Sequence, residues 1–581
     1  MIQRLLMALA FGSAVWAQTV CPPVPQYSPC DLVFNIPSAN GAQTLALEGE
    51  FRSPHQTTAV VKAFWDGGTR WVIRFTPAES GSYAYRINTS LPEFKGKEGE
   101  FTATPAANKT GWLRAANVHH FAFVEGTKLT PHLWMGAVTA NFSEVNTAAW
   151  KALVDAVTRD HFNHIGVTLV DEKSAANFKS PEFFRAAEEK LRYANENGLI
   201  VDLALFGPNG LLNRLLPSRA DREAWFAYAI ARLAAYDVTW QGLEAWETYD
   251  NGRDLLKEMN TWLTDLDPYK HPRSTRAGSA AGTLSDDGWL RYRSYETGET
   301  AVEAIDQQVY QYPSVNNFGA GAKDAADFRH RLWNATVSGQ YPATLLPHTG
   351  DDATMKIWYE FMEKTRHWEL EPFFDSDKGR GLALEGIEYI VYLEKPGPVT
   401  VNIEKRGYDG QWFDPATGAA TKIKDVKVKE DGSFTATPPD SNHDWVLHIS
   451  REGQKASMLK SYKFDSREGG IVMQEVEGIP DKVPFDIVAP PEGTLALAKS
   501  AAFEIKLKRQ SKALERMLYE WTGDVTVDNH GPRVIGTGLT GAFQIPDNVA
   551  HNYPAALHVH LIGMNALGKV YTLDRNYTLT H

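Results

Sequence analysis

The side chains most able to do chemistry gather in one short stretch of the chain. Glu244, Glu247, Asp250 and Asn251 fall within eight positions of each other. Two carboxyl groups held near one another can act as a proton donor and as a nucleophile or base, which is the arrangement that hydrolysis of a glycosidic bond requires. The stretch is therefore a candidate for acid and base catalysis.

This stretch lies between a strand pattern and a helix pattern. Residues 238–243 are short and largely apolar or aromatic, as in a buried parallel strand. Apolar residues then recur at helical spacing at Leu255, Leu256, Met259, Trp262, Leu263 and Leu266. Polar groups at such a junction lie where (β/α)₈ barrels keep their active sites. We therefore predict that the stretch belongs to the rim of a barrel.

Alternating strand and helix patterns between residues 109 and 369 predict a central (β/α)₈ TIM barrel in a multidomain α/β and β protein. Residues 164–170, 199–206 and 305–312 are among the predicted strands. The flanking segments alternate with period two and contain many turns, which favours β-sandwiches on both sides. The predicted domains are a signal peptide (1–17), an N-terminal β-sandwich (18–108), the barrel (109–369), a β-sandwich (370–450) and a C-terminal β-sandwich (451–581).

The N-terminus resembles an export signal. Arg4 precedes a short apolar run, and small residues surround a possible cleavage site at Ala17. The run is too short to span a bilayer, and no later run is long enough, so we predict a secreted or periplasmic protein without an integral membrane segment after signal removal. Cys21 and Cys30 are the only cysteines and are expected to form a disulfide. Lipid attachment at Cys21 and a two-ligand metal site are the alternatives.

Composition narrows the possible partners. A net charge of -12 argues against a nucleic-acid-binding protein. The chain has 17 Trp, 22 Tyr and 27 Phe, and such rings can stack on sugars, although they also fill cores. Because the 17 histidines contain no H-E-x-x-H motif and no phosphate-binding or dinucleotide-binding glycine pattern is present, we predict neither a metal nor another cofactor. A carbohydrate is the expected partner.

Two flanking motifs carry a family resemblance. Residues 64–77 read FWDGGTRWVIRFTP, and this phrase resembles a β-sandwich domain of unknown function that precedes the catalytic barrel in a group of bacterial glycoside hydrolases. Residues 389–393 (YIVYL) and 412–418 (WFDPATG) resemble the collagen-binding-like β-sandwich that follows barrels of the same group. These resemblances imply a glycoside hydrolase-like barrel between the two sandwiches.

The predicted rim is similar to cellulase-superfamily (clan A) barrels. Residues 245–247 (AWE) and 267–272 (DPYKHP) match that group, whose usual phrase is A-W-E-L-x-N-E. The match places Asn251 at the acid/base position, and residues 313–319 (PSVNNFG) place Asn317 at the nucleophile position. An amide can perform neither role. Either the alignment is shifted, or another carboxylate pair acts, or the barrel binds a glycan without cleaving it.

Strand alternation suggests which carboxylate faces the barrel. If the strand stays regular, Gln241 and Glu247 share the inner side and Glu244 points outward. The predicted catalytic residues are therefore Glu247 first, then Glu244 and Glu296. The predicted substrate-binding residues are Trp246, Asp250, Asn251, Tyr310, Asn316, Asn317, His348 and Asp171. Tyr310 stands where related barrels have the histidine of D-x-x-x-x-H-x-Y.

The sequence thus predicts an exported glycoside hydrolase acting on a polysaccharide or an oligosaccharide. Two alternatives remain open. The two asparagines favour a catalytically inactive carbohydrate-binding barrel, and the flanking sandwiches favour a surface adhesion module.

Overall fold

The computed structural model describes residues 21–580 except for residues 40–43, 108, 110, 141, 279–283, 285–287, 297–299, 311, 320, 347–351, 452–481, 510–516, 527–531, 547–554 and 566–567. The predicted signal peptide therefore lies outside the described residues. Within them, no helix combines the length and the apolar composition that a membrane crossing requires.

Two β-sheets form the N-terminal β-region. Its strands are β1 (Val24–Pro25), β2 (Cys30–Asn35), β3 (Leu47–Arg52), β4 (Thr58–Lys62), β5 (Phe64–Trp65), β6 (Arg70–Phe75), β7 (Gly81–Thr89) and β8 (Glu98–Thr104). One sheet has the order β1-β8-β7-β3-β4 and the other β2-β6-β5. Alternate residues of these strands are buried, and Phe51 stacks on Phe75 between the sheets. The predicted disulfide between Cys21 and Cys30 is confirmed.

A small antiparallel sheet connects this region to the parallel sheet. It consists of β9 (Trp112–Ala116), β10 (His120–Glu125) and β11 (Lys128–His132), in the order β11-β10-β9. His132 at its end reaches His164, with 2.9 Å between the two Nε2 atoms. Because His164 begins a parallel strand, the small sheet lies against the amino ends of those strands.

The centre of the molecule is a strongly curled, eight-stranded parallel sheet. Its strands are β12 (Gly136–Thr139), β13 (His164–Val170), β14 (Ile200–Phe206), β15 (Val238–Trp240), β16 (Arg276–Ala277), β17 (Arg293–Tyr295), β18 (Ser314–Asn317) and β19 (Tyr341–Leu346). The strand order is β15-β14-β13-β12-β19-β18-β17-β16. Single parallel bridges also pair Trp240 with Arg273 and Glu244 with Arg276. Backbone contacts therefore join the segment around β15 to the segment around β16, the two strands at the ends of this order.

Helices follow the parallel strands along the chain. They are α1 (Thr147–Arg159), α2 (Pro181–Glu196), α3 (Leu211–Leu215), α4 (Arg219–Leu233), α5 (Gly252–Leu266), α6 (Thr300–Val309), α7 (Ala325–Thr336) and α8 (Asp352–Met362). Polar caps begin several of them; for example, Ser180 accepts a hydrogen bond from the backbone of Phe183 at the start of α2. The apolar spacing that predicted α5 is confirmed, since Leu255, Met259 and Trp262 are all buried.

One predicted strand is wrong. Residues 305–312 were expected to form a strand, but α6 extends to Val309. Ile305 and Val309 contact Ile562 and Met564 of the C-terminal strands, so this helix is covered on its outer side as well as by the sheet. A helix buried on both sides has a nearly continuous apolar pattern, which periodicity alone does not distinguish from a strand.

Polar side chains fill the inner face of the parallel sheet near the amino ends of its strands. His164 Nδ1 lies 3.0 Å from Asp202 Oδ1, to which Thr239 donates a hydrogen bond of 2.8 Å. Gln241 in turn donates to the Tyr292 hydroxyl at 3.0 Å. Gln241 therefore faces inward, as predicted.

Antiparallel sheets follow the parallel sheet. The first group comprises β20 (Glu371–Phe373), β21 (Arg380–Leu384), β22 (Glu388–Leu393), β23 (Val399–Asn402), β24 (Asp409–Phe413), β25 (Ala420–Ile423), β26 (Ser433–Ala436) and β27 (Trp445–Ser450). The sheet orders are β20-β21-β22-β27-β24-β25 and β23-β26. Some of their buried residues, including Val391, Val401 and Leu447, form a separate core, while others, such as Ile390 and Val446, belong to the central core.

The C-terminal β-region has its own core of buried side chains, among them Trp521 and Val559. Its strands are β28 (Phe485–Ala489), β29 (Gly493–Ala496), β30 (Ser500–Leu507), β31 (Leu518–Val525), β32 (Arg533–Thr537), β33 (Thr540–Gln544), β34 (Ala556–Met564) and β35 (Val570–Thr580). They form the sheets β28-β30-β33 and β29-β35-β34-β31-β32.

Candidate active site

Glu244 lies at the carboxyl edge of the parallel sheet and faces its inner side. Its Oε2 accepts a hydrogen bond of 2.6 Å from Thr168 Oγ1 on β13. Its Oε1 lies 3.5 Å from Nη1 of Arg276 on β16. The Glu244 side chain is 31% exposed, so it remains open to solvent and to a ligand while two neighbours fix its position.

The chain leaves the strand before Glu244, and this changes which carboxylate faces inward. β15 ends at Trp240, and Gly242 and Ala245 have positive φ values of 53° and 45°. These left-handed residues interrupt the alternation of sides, so the expectation of a regular strand with Glu244 outward is wrong. Glu247 instead lies in a short 3₁₀ helix, Trp246–Thr248.

Arg276 spans the inner face of the sheet. Besides contacting Glu244, its guanidinium approaches β13, where a Cβ on Gly166 would lie 2.7 Å from Arg276 Nη2. A side chain at Gly166 would therefore push the guanidinium away. The Nη2 atom is buried and has no hydrogen-bond partner within the described residues.

A second carboxylate, Glu296, follows β17 at the same edge. Its backbone nitrogen donates to Ala277 O at 2.9 Å, and its Oε2 accepts from Asn317 Nδ2 at 3.3 Å. Asn317 ends β18 and is 5% exposed. The structure therefore brings together Glu296 and Asn317, two of the residues predicted from sequence.

The spacing of Glu244 and Glu296 follows from the strand register. Glu244 is bridged to Arg276, and Arg276 and Ala277 pair with Ser294 and Tyr295 directly before Glu296. Glu296 is thus two strands away from Glu244 and two residues beyond Ser294, which is level with Glu244, so the two backbones are about 11–12 Å apart at the usual spacings. Inward side chains on a curled sheet come closer than their backbones. This spacing is compatible with a pair of carboxyl groups acting on one bond.

The other residues predicted in the stretch after β15 have mainly structural surroundings. Trp246 is 1% exposed, so its ring offers no open face for a sugar to stack on. Asp250 is exposed in a turn. Asn251 is the residue before α5, and its Oδ1 accepts a hydrogen bond of 2.7 Å from Asn213.

Two further predicted ligand-binding residues are directed elsewhere. Asn316 is fully buried and donates to Glu303 of α6 and to Gln340, which places its amide on the helix side of the sheet. Tyr310 follows the carboxyl end of α6, and its backbone oxygen lies 3.1 Å from His119 Nε2, beside the small sheet at the amino ends of the strands. Neither side chain reaches the edge that holds Glu244.

Asp171 follows β13 and organises a turn. Its carboxylate accepts hydrogen bonds from Ser143 Oγ at 2.7 Å and from the backbone nitrogen of Ser174 at 2.8 Å. These hydrogen bonds, together with others from Ser174 and Lys173, outweigh partial burial and lower the pKa of Asp171 below its usual value. The predicted ligand His348 lies outside the described residues.

Sequence reasoning missed Arg276 and Thr168. Both belong to strand patterns, and only strand register shows that they meet Glu244. The sequence offered one indication of them: each is a polar residue in a predicted parallel strand, and polar side chains at the carboxyl ends of such strands converge at one edge of the sheet.

Two family comparisons match the flanking β-regions. Residues 23–90 match a domain of unknown function, DUF5060, and residues 376–450 match a proposed collagen-binding domain of a collagenase. Both resemblances expected from the sequence motifs are therefore confirmed. A comparison with curated proteins finds no match.

Solved structures share the fold. A proposed glycoside hydrolase from Bacteroides vulgatus superposes with a TM-score of 0.64 at 17% identity, covering 74% of this chain and 99% of that one. Another structure, a glycoside hydrolase, gives a TM-score of 0.50 at 13% identity, covering 59% of this chain and 97% of that one. At these identities the similarity concerns the fold, and the chain therefore has a glycoside hydrolase-like fold.

Proposed function

We propose that this protein is a glycoside hydrolase whose parallel sheet closes into a (β/α)₈ barrel of the cellulase-superfamily type. The observation that carries the proposal is the pair Glu244 and Glu296 on the inner side of the carboxyl edge. Arg276 and Thr168 hold the first carboxylate, and Asn317 holds the second. Active sites of such barrels lie at this edge, and cleavage of glycosides uses two carboxyl groups.

In this proposal Glu244 protonates the glycosidic oxygen as the bond to the anomeric carbon breaks. Glu296 stabilises the positive charge that develops on the sugar ring, either by attacking the anomeric carbon or by activating a water molecule that does so. Asn317 cannot act as a nucleophile, but its amide donates to Glu296 and fixes the orientation of that carboxylate.

We further propose that the chain acts outside the cytoplasm on a polysaccharide or an oligosaccharide. The disulfide Cys21–Cys30 suits an oxidising compartment, and the export signal expected at residues 1–17 agrees with it. The domain division expected from the sequence remains part of this proposal, with separate sandwich domains at 18–108, 370–450 and 451–581 on either side of a barrel at 109–369.

A second candidate is a barrel that binds a glycan without cleaving it. The observation that favours it is Asn317, an amide at the end of β18, where the resemblance to clan A barrels expects the nucleophile. In that case Glu244 and Glu296 would accept hydrogen bonds from sugar hydroxyls.

A panel of plant and microbial polysaccharides, incubated with the mature chain, separates the two candidates. The proposed hydrolase releases reducing ends from at least one polymer. A barrel that only binds a glycan is retained on the same polymer in a pull-down assay but releases no reducing ends. Glu93→Gln, an exposed substitution in the N-terminal β-region, serves as the control and should behave as the unmodified chain.

A further inference from the structure

Three side chains on the outer face of the C-terminal β-region form a cluster with metal-binding chemistry. His558 and His560 are two residues apart on β34, and Asp574 lies on the neighbouring strand β35. The strand register places His560 directly opposite Asp574 and His558 directly opposite Asn576. Their side chains therefore point to the same side of the sheet, while Leu557, Val559 and Leu561 point into the core.

The ring nitrogens of both histidines converge on one carboxylate oxygen. His560 Nδ1 lies 2.6 Å from Asp574 Oδ1, and His558 Nε2 lies 3.2 Å from the same atom. One nitrogen or oxygen from each of the three residues lies within 4.8 Å of the others. Ligand atoms bound to one zinc ion at 2.0–2.2 Å are about 3.3–3.5 Å apart, so modest side-chain movement would accommodate an ion.

His558 already has the outer hydrogen bond that orients a metal-binding imidazole. Its Nδ1 lies 2.7 Å from Asn576 Oδ1, which can only accept. The proton is therefore on Nδ1, and Nε2 is the atom left to face Asp574. Metal-bound histidines are usually held in this way by a second acceptor.

We propose that His558, His560 and Asp574 bind one divalent transition-metal ion of the zinc class. Two imidazoles and one carboxylate are ligands that zinc, copper and nickel prefer, whereas calcium and magnesium prefer oxygen ligands alone. The side chains are 42%, 33% and 52% exposed, so an ion can enter from solvent and keep at least one open coordination position. The site lies on the C-terminal β-region and is separate from the proposed hydrolase chemistry.

The surrounding charge favours a cation. Asp524 on β31 lies opposite His558 on the side away from Asn576, so carboxylates occur on both strands that flank β34. A bound ion would connect β34 to β35. Because the ligands lie on strands of a sheet with its own buried core, binding needs no rearrangement of the backbone.

Zinc titration of the full-length, tag-free chain after removal of bound metal tests the site. Isothermal calorimetry should show about one Zn²⁺ per chain, and Co²⁺ in place of Zn²⁺ should give visible absorption from the bound ion. His560→Ala and Asp574→Asn should each weaken Zn²⁺ binding by at least about tenfold, since loss of even an outer-shell partner typically costs that much.

His161→Ala is the matched control. His161 has a similar exposure of 41% and lies 3.7 Å from a single carboxylate, that of Glu360. Zinc affinity should not change in this variant, and circular dichroism should show that all metal-free variants are folded. The proposal is overturned if the unmodified chain binds no Zn²⁺, or if His560→Ala and Asp574→Asn bind it as tightly as the control.

Discussion

Arg276 connects more of the candidate site than any single carboxylate does. It belongs to β16, contacts Glu244 beyond the end of β15 and reaches Gly166 on β13. The buried guanidinium beside Glu244 fixes the position of that carboxylate. At the residue scale, the site therefore depends on a glycine that leaves room for an arginine.

Gly166→Ala tests this dependence. The new Cβ would lie 2.7 Å from Arg276 Nη2, and the flexible arginine tip should move away. We expect the free energy of unfolding to change by less than about 1 kcal/mol, while kcat/KM for glycan hydrolysis falls about tenfold or more, the usual effect of losing one charge-assisted hydrogen bond. Gly407→Ala is the control, because a Cβ there meets no atom within 4 Å. Unchanged kinetics in Gly166→Ala would contradict the role given to Arg276.

The sequence identified both glutamates but not their orientation. Residue types and the strand-to-helix junction were sufficient to place Glu244 and Glu296 at the rim. The side that Glu244 faces depends on the left-handed backbone angle at Gly242, and a pattern of residue types does not reveal that angle. The contact between Arg276 and Glu244 depends on strand register, which is a property of the folded sheet.

At the element scale, the turn after β15 is what directs Glu244 inward. Gly242 has a φ of 53°, and a Cβ there would lie 2.8 Å from both Leu256 Cδ2 and Trp289 Cζ2. The left-handed conformation and the crowding both require glycine. The position of Glu244, the proposed acid, therefore depends on how closely α5 packs against this turn.

Gly242→Ala should therefore destabilise the protein more than the same substitution at a glycine that has a similar φ but no neighbouring atoms. Gly68 has a φ of 54°, and a Cβ added there would meet no atom within 4 Å, so Gly68→Ala should cost about 1–2 kcal/mol for the left-handed backbone alone. Gly242→Ala should cost about 1–3 kcal/mol more because of overpacking. Denaturant unfolding measures both values, and equal losses would show that the turn is not crowded as described.

Sequence patterns predicted strands and helices unequally well. β13 and α5 followed their expected patterns, because β13 is a short run buried on both faces with distinct boundaries and α5 has one apolar face in the core. α6 did not, because the C-terminal strands cover the face that would otherwise be polar. Such coverage comes from a distant part of the chain, and no local pattern contains it.

At the scale of the whole molecule, a buried charged group joins α6 to the C-terminal β-region. Arg293 Nη1 lies 2.9 Å from Asp306 Oδ2, and the Asp306 carboxyl interacts electrostatically with Glu520 of β31. Burial and the neighbouring Asp306 raise the pKa of Glu520 well above its usual value. The Glu520 carboxyl therefore binds its proton more tightly in the folded protein than in the unfolded chain.

This proton makes stability depend on pH. Because the pKa of Glu520 is raised on folding, its proton contributes fully to the free energy of unfolding below the pKa of the unfolded chain, about 4.3. This contribution is lost as the pH rises from there toward the pKa of Glu520 in the folded protein. Glu520→Gln keeps a donor without a titrating proton, so its midpoint of thermal unfolding should fall less between about pH 5 and pH 8 than that of the unmodified chain. Calorimetry measures the difference, with Glu504→Gln on the exposed face of β30 as control. An identical fall in all three proteins would rule out this coupling.

The most direct test of the central claim compares Glu244→Gln, Glu296→Gln and Glu247→Gln on whichever polysaccharide the unmodified chain hydrolyses. The inward position of Glu244 and Glu296 predicts that initial rates of reducing-end release fall by at least about a hundredfold in the first two variants. Glu247→Gln should retain most of the activity, because Glu247 lies in the 3₁₀ helix beyond the edge. Abolished activity in Glu247→Gln together with full activity in Glu244→Gln would contradict the account.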